Sequence, residues 1–300
     1  MTETILQSWN DGAAKRAIID FVTAAVTPGG NFVPERDRIA AFDNDGTLWS
    51  EQPLPPQFDF VFRIWSEEVA ADHSLATRQP YKALVENDTA FFARVGAQDP
   101  EVIETLGAAF ARSWAGTSPE EFDAQVRAWL KTAKQPEFGV PYVELIYAPM
   151  LELFDYLRAN DFRIFVCSGG GRDFMRVFAE ETWGIYKENV IGTAADYRYT
   201  DGAILRTEHS LGGLDIGPGK PEHIFAQTGR LPVFAAGNAD VDIEMLEAAR
   251  FALLVIHDDD KREFAYFSNA EKSVTRGEQL GWTIVSIKDD WNTVYGPKKA

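Results

Sequence analysis

The segment Ile39-Ala-Ala-Phe-Asp-Asn-Asp-Gly-Thr-Leu48 joins a short apolar run to an acidic turn. Arg38 to Asp43 reads as a short buried strand, and Asp-Asn-Asp-Gly stops it. Two carboxylates two residues apart at a strand end can divide a displacement reaction. Asp43 would be the nucleophile, and Asp45 would protonate the leaving oxygen and later deprotonate water. Gly46 lets the chain turn away tightly, and Thr47 can hydrogen-bond within the turn. The plainer reading is a polar Asp-Gly turn that happens to follow a strand.

Upstream, Ile18, Ile19, Val22 and Val26 share one helical face, with Asp11 as a possible N-cap. Downstream of Trp49 the character changes. Pro53-Leu-Pro-Pro56 is stiff and extended, and the periodicity then predicts helices near 57–72, 80–95, 100–114 and 119–133, two of them opening at Pro100 and Pro119. An α/β pattern resumes at Pro149, with a helix over Met150 to Asn160 and a strand over Arg163 to Cys167. Ser168-Gly-Gly-Gly171 then leads into a helix ending near Gly184.

Residues 190–210 read as a hairpin turning at Asp201-Gly202. A helix follows Gly219-Lys220-Pro221, a strand covers Pro232 to Ala236, a helix covers Val241 to Ala249, and strands cover Phe251 to Ile256 and part of 281–287. Strands alternating with helices predict an α/β fold, a Rossmann-like, doubly wound, mostly parallel sheet. Residues 1–52 and 149–300 would form its core and 53–148 an inserted α-helical domain. In such sheets ligands sit beyond the carboxyl ends of the strands. The polar clusters at Asp43-Asn-Asp45, Ser168-Gly-Gly and Gly237-Asn-Ala-Asp240 all follow predicted strands directly.

Composition narrows the function classes. Of 300 residues 45% are hydrophobic and 25% charged, ordinary for a globular chain with a core. No apolar run approaches membrane-spanning length, and Met1-Thr-Glu-Thr-Ile-Leu lacks the basic and apolar regions of a signal peptide, so a cytoplasmic location is expected. Cys167 is the one cysteine, which excludes an intramolecular disulfide and a cysteine-built metal site. The net charge of −17 disfavours nucleic acid and anionic membrane as partners. A small phosphorylated metabolite stays compatible, because a bound cation and local donors can reverse the potential inside a site. Oligomeric state is not legible.

The remaining clusters supply what phosphoryl transfer requires. The Ser168 hydroxyl could hold a phosphoryl oxygen, Gly169 and Gly170 allow close backbone approach, and a following helix N-terminus favours an anion. Ser-Gly-Gly is also a common loop. Lys220, at another helix start, could offset phosphoryl charge, although an isolated surface lysine is the default. Gly237-Asn-Ala-Asp-Val-Asp242 offers oxygen ligands for Mg2+, with an Asp/Asn helix cap as the plain alternative.

These four clusters, in this order, resemble the motifs of the haloacid dehalogenase superfamily on its phosphatase side. Ser168-Gly-Gly and the position of the insertion are most similar to the phosphoserine-phosphatase-like branch, in which a mobile helical cap lies between the first two motifs. The resemblance implies that Asp43 is nucleophile and metal ligand, and that Asp45 is acid/base and binds metal through its backbone carbonyl. It also implies that Ser168 and Lys220 hold the phosphoryl group. The commonest fourth motif has Asp where this chain has Asn238. Asn238 and Asp242 are the favoured metal ligands, with Asp240 as rival.

Substrate contacts are less defined. Phosphoserine phosphatases read the substrate amine with a glutamate shortly after the first motif; Glu51 is offset by one from that spacing and Gln52 stands in its place. Arg172 could meet a substrate anion, with a surface ion pair as the plain alternative. Arg63, Trp65, Arg78 and Arg94 are possible specificity elements or ordinary helix faces. His257 is expected to be structural, His73, His209 and His223 form no ligand spacing, and Asp258-Asp-Asp260 reads as a solvated loop. The reading is hydrolysis of a small phosphomonoester. A phosphomutase and a silent phosphate-ligand sensor are the alternatives.

Overall fold

A computed structural model describes residues 5–96 and 99–296, so Met1–Thr4 of the N-terminal reading lie outside the described residues. The described strands are β1 (Ile39–Phe42), β2 (Arg163–Gly171), β3 (Val190–Thr200), β4 (Ala203–Leu211), β5 (Phe234–Gly237), β6 (Phe251–Ile256) and β7 (Thr283–Ser286). They form one sheet in the order β4-β3-β2-β1-β5-β6-β7. All neighbours are parallel except β3 and β4, the hairpin that turns at Asp201 and Gly202, both at positive φ.

β1 is central, and the chain leaves it in both directions. Phe42 pairs with Val166 of β2 and with Ala236 of β5. The next residue on each strand, Asp43, Cys167 and Gly237, therefore stands at the same level, at the carboxyl edge where the strand order reverses. That crevice is where open α/β sheets bind ligands.

The alternation of β1 divides the core. Ala40 and Phe42 join a cluster with Ile18, Val22, Phe154 and Val166, while Ile39 and Ala41 join one with Ile224, Met245 and Leu246. Helices Ala13–Val26 and Ala148–Ala159 thus cover one face, and Gly219–Thr228 and Ile243–Ala248 the other. No helix among the described residues is long and apolar enough to cross a membrane.

Between β1 and helix Ala148–Ala159 the α-helices are Pro56–Ala71, Tyr81–Glu86, Thr89–Gly96, Pro100–Ser113 and Pro119–Thr132. Asp99 and Ser118 cap the last two, the latter with a full capping box to Glu121. Their apolar faces belong to the same cluster as one face of the sheet. Phe60 lies 5.4 Å from the ring of Trp114, 5.7 Å from Trp129 and 5.7 Å from Phe174, the last in the segment after β2. The insertion also pairs with the hairpin: Gly116 N–H donates to Arg206 O at 2.8 Å, and Arg206 N–H to Thr117 O at 2.9 Å. The buried Arg206 guanidinium lies 4.1 Å over the Phe122 ring.

Several local expectations are corrected. The single helix over 80–95 is two, because Asn87 adopts the left-handed conformation (φ 52°) and Asp88 accepts the Phe91 N–H. Gly12, not Asp11, precedes the first helix, and Asp11 pairs with Lys15 at 3.0 Å. β2 runs on through Gly171, with a register shift between Ser168 and Gly171, so Ser168-Gly-Gly is a bulged strand end rather than a loop. The helix beyond is broken into Arg172–Arg176 and Ala179–Trp183, and Arg127 takes the Val177 carbonyl between them at 2.8 Å. Helix Glu271–Leu280 carried no sequence signal that was recognised. Asp258-Asp-Asp260 is not simply solvated. Asp259 is buried and ion-paired to Arg262, and Asp258 accepts from Ser286 Oγ and Lys288 N.

Replacing Phe60 by Ala should remove about 3–5 kcal/mol of stability, because the ring fills the junction of insertion and core. Chemical denaturation checks this, and the insertion and core should still unfold in one transition.

Candidate active site

Asp43 follows β1, and its N–H donates to the Ala236 carbonyl of β5 at 2.9 Å, continuing the sheet ladder past the strand end. The residue is 6% exposed. Lys220, on the first turn of helix Gly219–Thr228, is fully buried and reaches from the opposite layer. Its Nζ donates to Asp43 Oδ1 and to Asp242 Oδ1, both at 2.5 Å. Burial raises the Asp43 pKa well above the usual carboxylate range, Asp242 adds to this, and Lys220 opposes it. Burial works against the Lys220 charge, yet Asp242 and Asp43 outweigh it and hold the ammonium protonated.

Asp242 does more than neutralise Lys220. Its other oxygen accepts the backbone N–H groups of Asn238 at 2.9 Å and Ala239 at 3.0 Å. A Cβ on Gly237 would lie 2.6 Å from Asp242 Cγ, so the loop after β5 closes tightly on its own carboxylate. Asp240 faces elsewhere: its Oδ1 accepts the Ser273 N–H at 2.8 Å, near the start of helix Glu271–Leu280.

Asp45 Oδ1 accepts from the Trp49 indole at 2.7 Å and the Asn44 amide at 3.2 Å. Burial, and then Glu51, push its pKa up to about 7 against Trp49, Lys220 and Asn44. Gly46, at φ +74°, turns the chain, and a Cβ there would lie 2.0 Å from Asn238 Nδ2. The left-handed backbone and the close approach each require glycine.

On the β2 side Ser168 is 2% exposed, and its Oγ accepts the Gly170 N–H at 3.1 Å, leaving its own hydrogen to donate. A Cβ on Gly170 would lie 3.4 Å from Ser168 Oγ and 3.8 Å from Asp45 Oδ2. The bulge therefore brings backbone, hydroxyl and the second Asp45 oxygen together. Gln57, from the first turn of the insertion, accepts the Gly171 N–H at 2.7 Å. Nothing in the sequence marked it.

Glu51 accepts from Asn238 Nδ2 at 3.1 Å and from the Tyr266 hydroxyl at 2.6 Å, and burial raises its pKa. Asn238 Oδ1 accepts from Thr47 Oγ1 at 3.2 Å. An aspartate at 238 would set a second carboxylate against Glu51; the neutral amide instead donates to it. Arg172 lies 3.5 Å from Asp173, on which Arg176 and Arg206 also converge. Trp65 is core, Arg63 and Arg94 form surface ion pairs, and Arg78 is exposed. His223 pairs with Asp215 at 2.9 Å.

A hard cation fits this donor set. Asp43 and Asp242 share one ammonium, and no backbone N–H takes the Asp45 carbonyl oxygen among the described residues. No three His, Cys, Asp or Glu side chains among the described residues are grouped to enclose a metal.

Among curated protein sequences no match is found. Solved structures show the same fold at low identity. A protein of unknown function from Bordetella pertussis Tohama I is 15% identical, covering 83% of this chain and 98% of its own, with a TM-score of 0.53. A functionally unknown protein from Anaerococcus prevotii DSM 20548 is 14% identical over 98% and 99% of the two chains, with a TM-score of 0.55. Cytosolic 5'-nucleotidase IIIB, solved with cytidine, is 13% identical over 93% and 86%, with a TM-score of 0.50. The family model for haloacid dehalogenase-like hydrolases matches residues 40–247, a span that takes in the three strand-end clusters and Lys220, and the chain belongs to that family.

Proposed function

We propose that the protein is a magnesium-dependent phosphatase that hydrolyses a small phosphomonoester through an aspartyl-phosphate on Asp43. The observation that supports this best is the Lys220 ammonium seated between Asp43 and Asp242, with Asp45 and Ser168 beside it. Such an arrangement offers an anionic phosphoryl group a nucleophile, a counter-charge and a proton donor together.

In the first step an Asp43 oxygen bonds to phosphorus as the bond to the leaving oxygen breaks, and Asp45 gives that oxygen its proton. An Asp45 pKa near 7 suits both proton transfers at neutral pH. In the second step Asp45 takes a proton from water, the water oxygen bonds to phosphorus, and the Asp43 carboxylate leaves with release of inorganic phosphate. The Ser168 hydroxyl and the Gly169 backbone would hold phosphoryl oxygens, and Lys220 offsets their charge. Asp43, the Asp45 carbonyl, the Asn238 amide oxygen and Asp242 would hold magnesium, which when bound neutralises phosphoryl charge. The insertion, residues 53–148, acts as a cap over the site in this reading, and Gln57 is its contact with the β2 bulge. Arg172 and Glu51 remain proposals for substrate contact. The acidic net charge favours a small metabolite over a polyanion.

Purified protein should release phosphate from an aryl phosphate with magnesium, stop on chelation and resume on readdition; no turnover across a broad ester panel would contradict the proposal. Asp43→Asn should cut the rate about a thousandfold or more with an unchanged circular dichroism spectrum. Asp240→Asn should leave the magnesium concentration for half-maximal activity unchanged, whereas Asn238→Ala should raise it; the reverse result would transfer the ligand role to Asp240.

A further inference from the structure

His257 directly follows β6 and is 4% exposed. Its Nε2 lies 2.8 Å from the Gly46 carbonyl oxygen and its Nδ1 lies 3.0 Å from Glu263 Oε2. A carbonyl only accepts, so Nε2 carries a hydrogen. Glu263 accepts the Phe264 N–H at 2.7 Å on Oε2, and the Ser50 and Tyr147 hydroxyls at 3.0 and 2.9 Å on Oε1. This filled carboxyl group faces Nδ1 and holds the ring so that Nε2–H points at the Gly46 carbonyl.

Tyr266 locks the ring from the side. The two rings stack with centroids 4.3 Å apart and 24° between planes, and the Tyr266 N–H donates to the His257 carbonyl at 3.0 Å. What this assembly grips is the turn of the first motif. The Gly46 N–H donates to the Trp49 carbonyl at 3.0 Å, and the Gly46 carbonyl accepts from His257. Both peptide groups of the left-handed residue are thereby fixed, one residue from Asp45. A buried polar cluster is a costly way to hold a turn that packing alone could stabilise. What it adds is direction, because the hydrogen bond sets the orientation of one carbonyl.

We infer that His257, held by Glu263 and Tyr266, is a positioning residue whose Nε2–H fixes the Gly46 carbonyl and so aims Asp45 at the leaving oxygen. Its kinetic consequence rests on the phosphatase reading; its hydrogen positions do not. The test combines 15N NMR of histidine-labelled protein at neutral pH with kinetics on an aryl phosphate. With four histidines in the chain, a His257 variant identifies the resonance. Nε2 should carry a hydrogen in the wild type and in Glu263→Gln alike.

His257→Phe keeps the stacked ring but loses the donor, and should lower kcat about tenfold or more with KM changed less than twofold. His257→Gln, which retains an N–H donor, should recover part of that loss. A folded His257→Phe variant with wild-type kcat would overturn the inference, as would a neutral wild-type ring with its hydrogen on Nδ1. Should His257→Phe fail to fold, the wild-type spectrum and Glu263→Gln decide. If wild-type protein hydrolyses no ester, the phosphatase reading fails, and the spectrum still decides where the hydrogens lie.

Discussion

One ammonium group, Nζ of Lys220, holds two buried carboxylates that would otherwise repel each other. Asp43 ends the central strand, Asp242 organises the loop after β5, and Lys220 comes from a helix on the far layer. Removing the lysine from such a trio would cost about 3–5 kcal/mol, because two carboxylates would be left facing in a low-dielectric pocket. Burial and Asp242 together press the Asp43 carboxyl toward its protonated form, and Lys220 opposes them.

The sheet order explains why these groups meet. The chain leaves β1 toward β2 on one side and reaches β5 on the other, so residues nearly two hundred positions apart in the chain share one level of the ladder. Gly46 then lets the turn and the Asn238 side chain occupy nearly the same space. The Asn238 amide and Glu51 belong together: the carboxylate stands after the β1 turn, and the amide of the β5 loop donates to it. The insertion shares one apolar cluster with the core and pairs its own backbone with the hairpin at Arg206, which seats it firmly beside the β2 bulge.

Much of this was legible in the chain because the signals are local. The apolar run before Asp43, the Asp201-Gly202 turn, and the prolines and caps of the helices at 100 and 119 each act within a few residues. The alternation of strands and helices then implied the sheet. Other features depend on distant partners. Nothing near Val177 shows that Arg127 will take its carbonyl and break a helix. Gln57 and Gly171 are 114 residues apart, and His257 and Gly46 are 211 apart. A lone histidine after a strand reads as structural, and neither of its hydrogen-bond partners, Gly46 and Glu263, is marked by the letters around it. By sequence Asp240 rivals the favoured Asn238 and Asp242 as a ligand; in the fold its carboxylate turns toward Ser273.

The central claim is that Asp43 carries the phosphoryl group. It is tested most directly by acid-quenching the protein during turnover of a 32P-labelled phosphate ester and mapping the label by peptide. The account predicts transient, acid-stable label on the peptide containing Asp43, absent once substrate is exhausted. Turnover that proceeds with no protein-bound label, or with label on another residue, would contradict it.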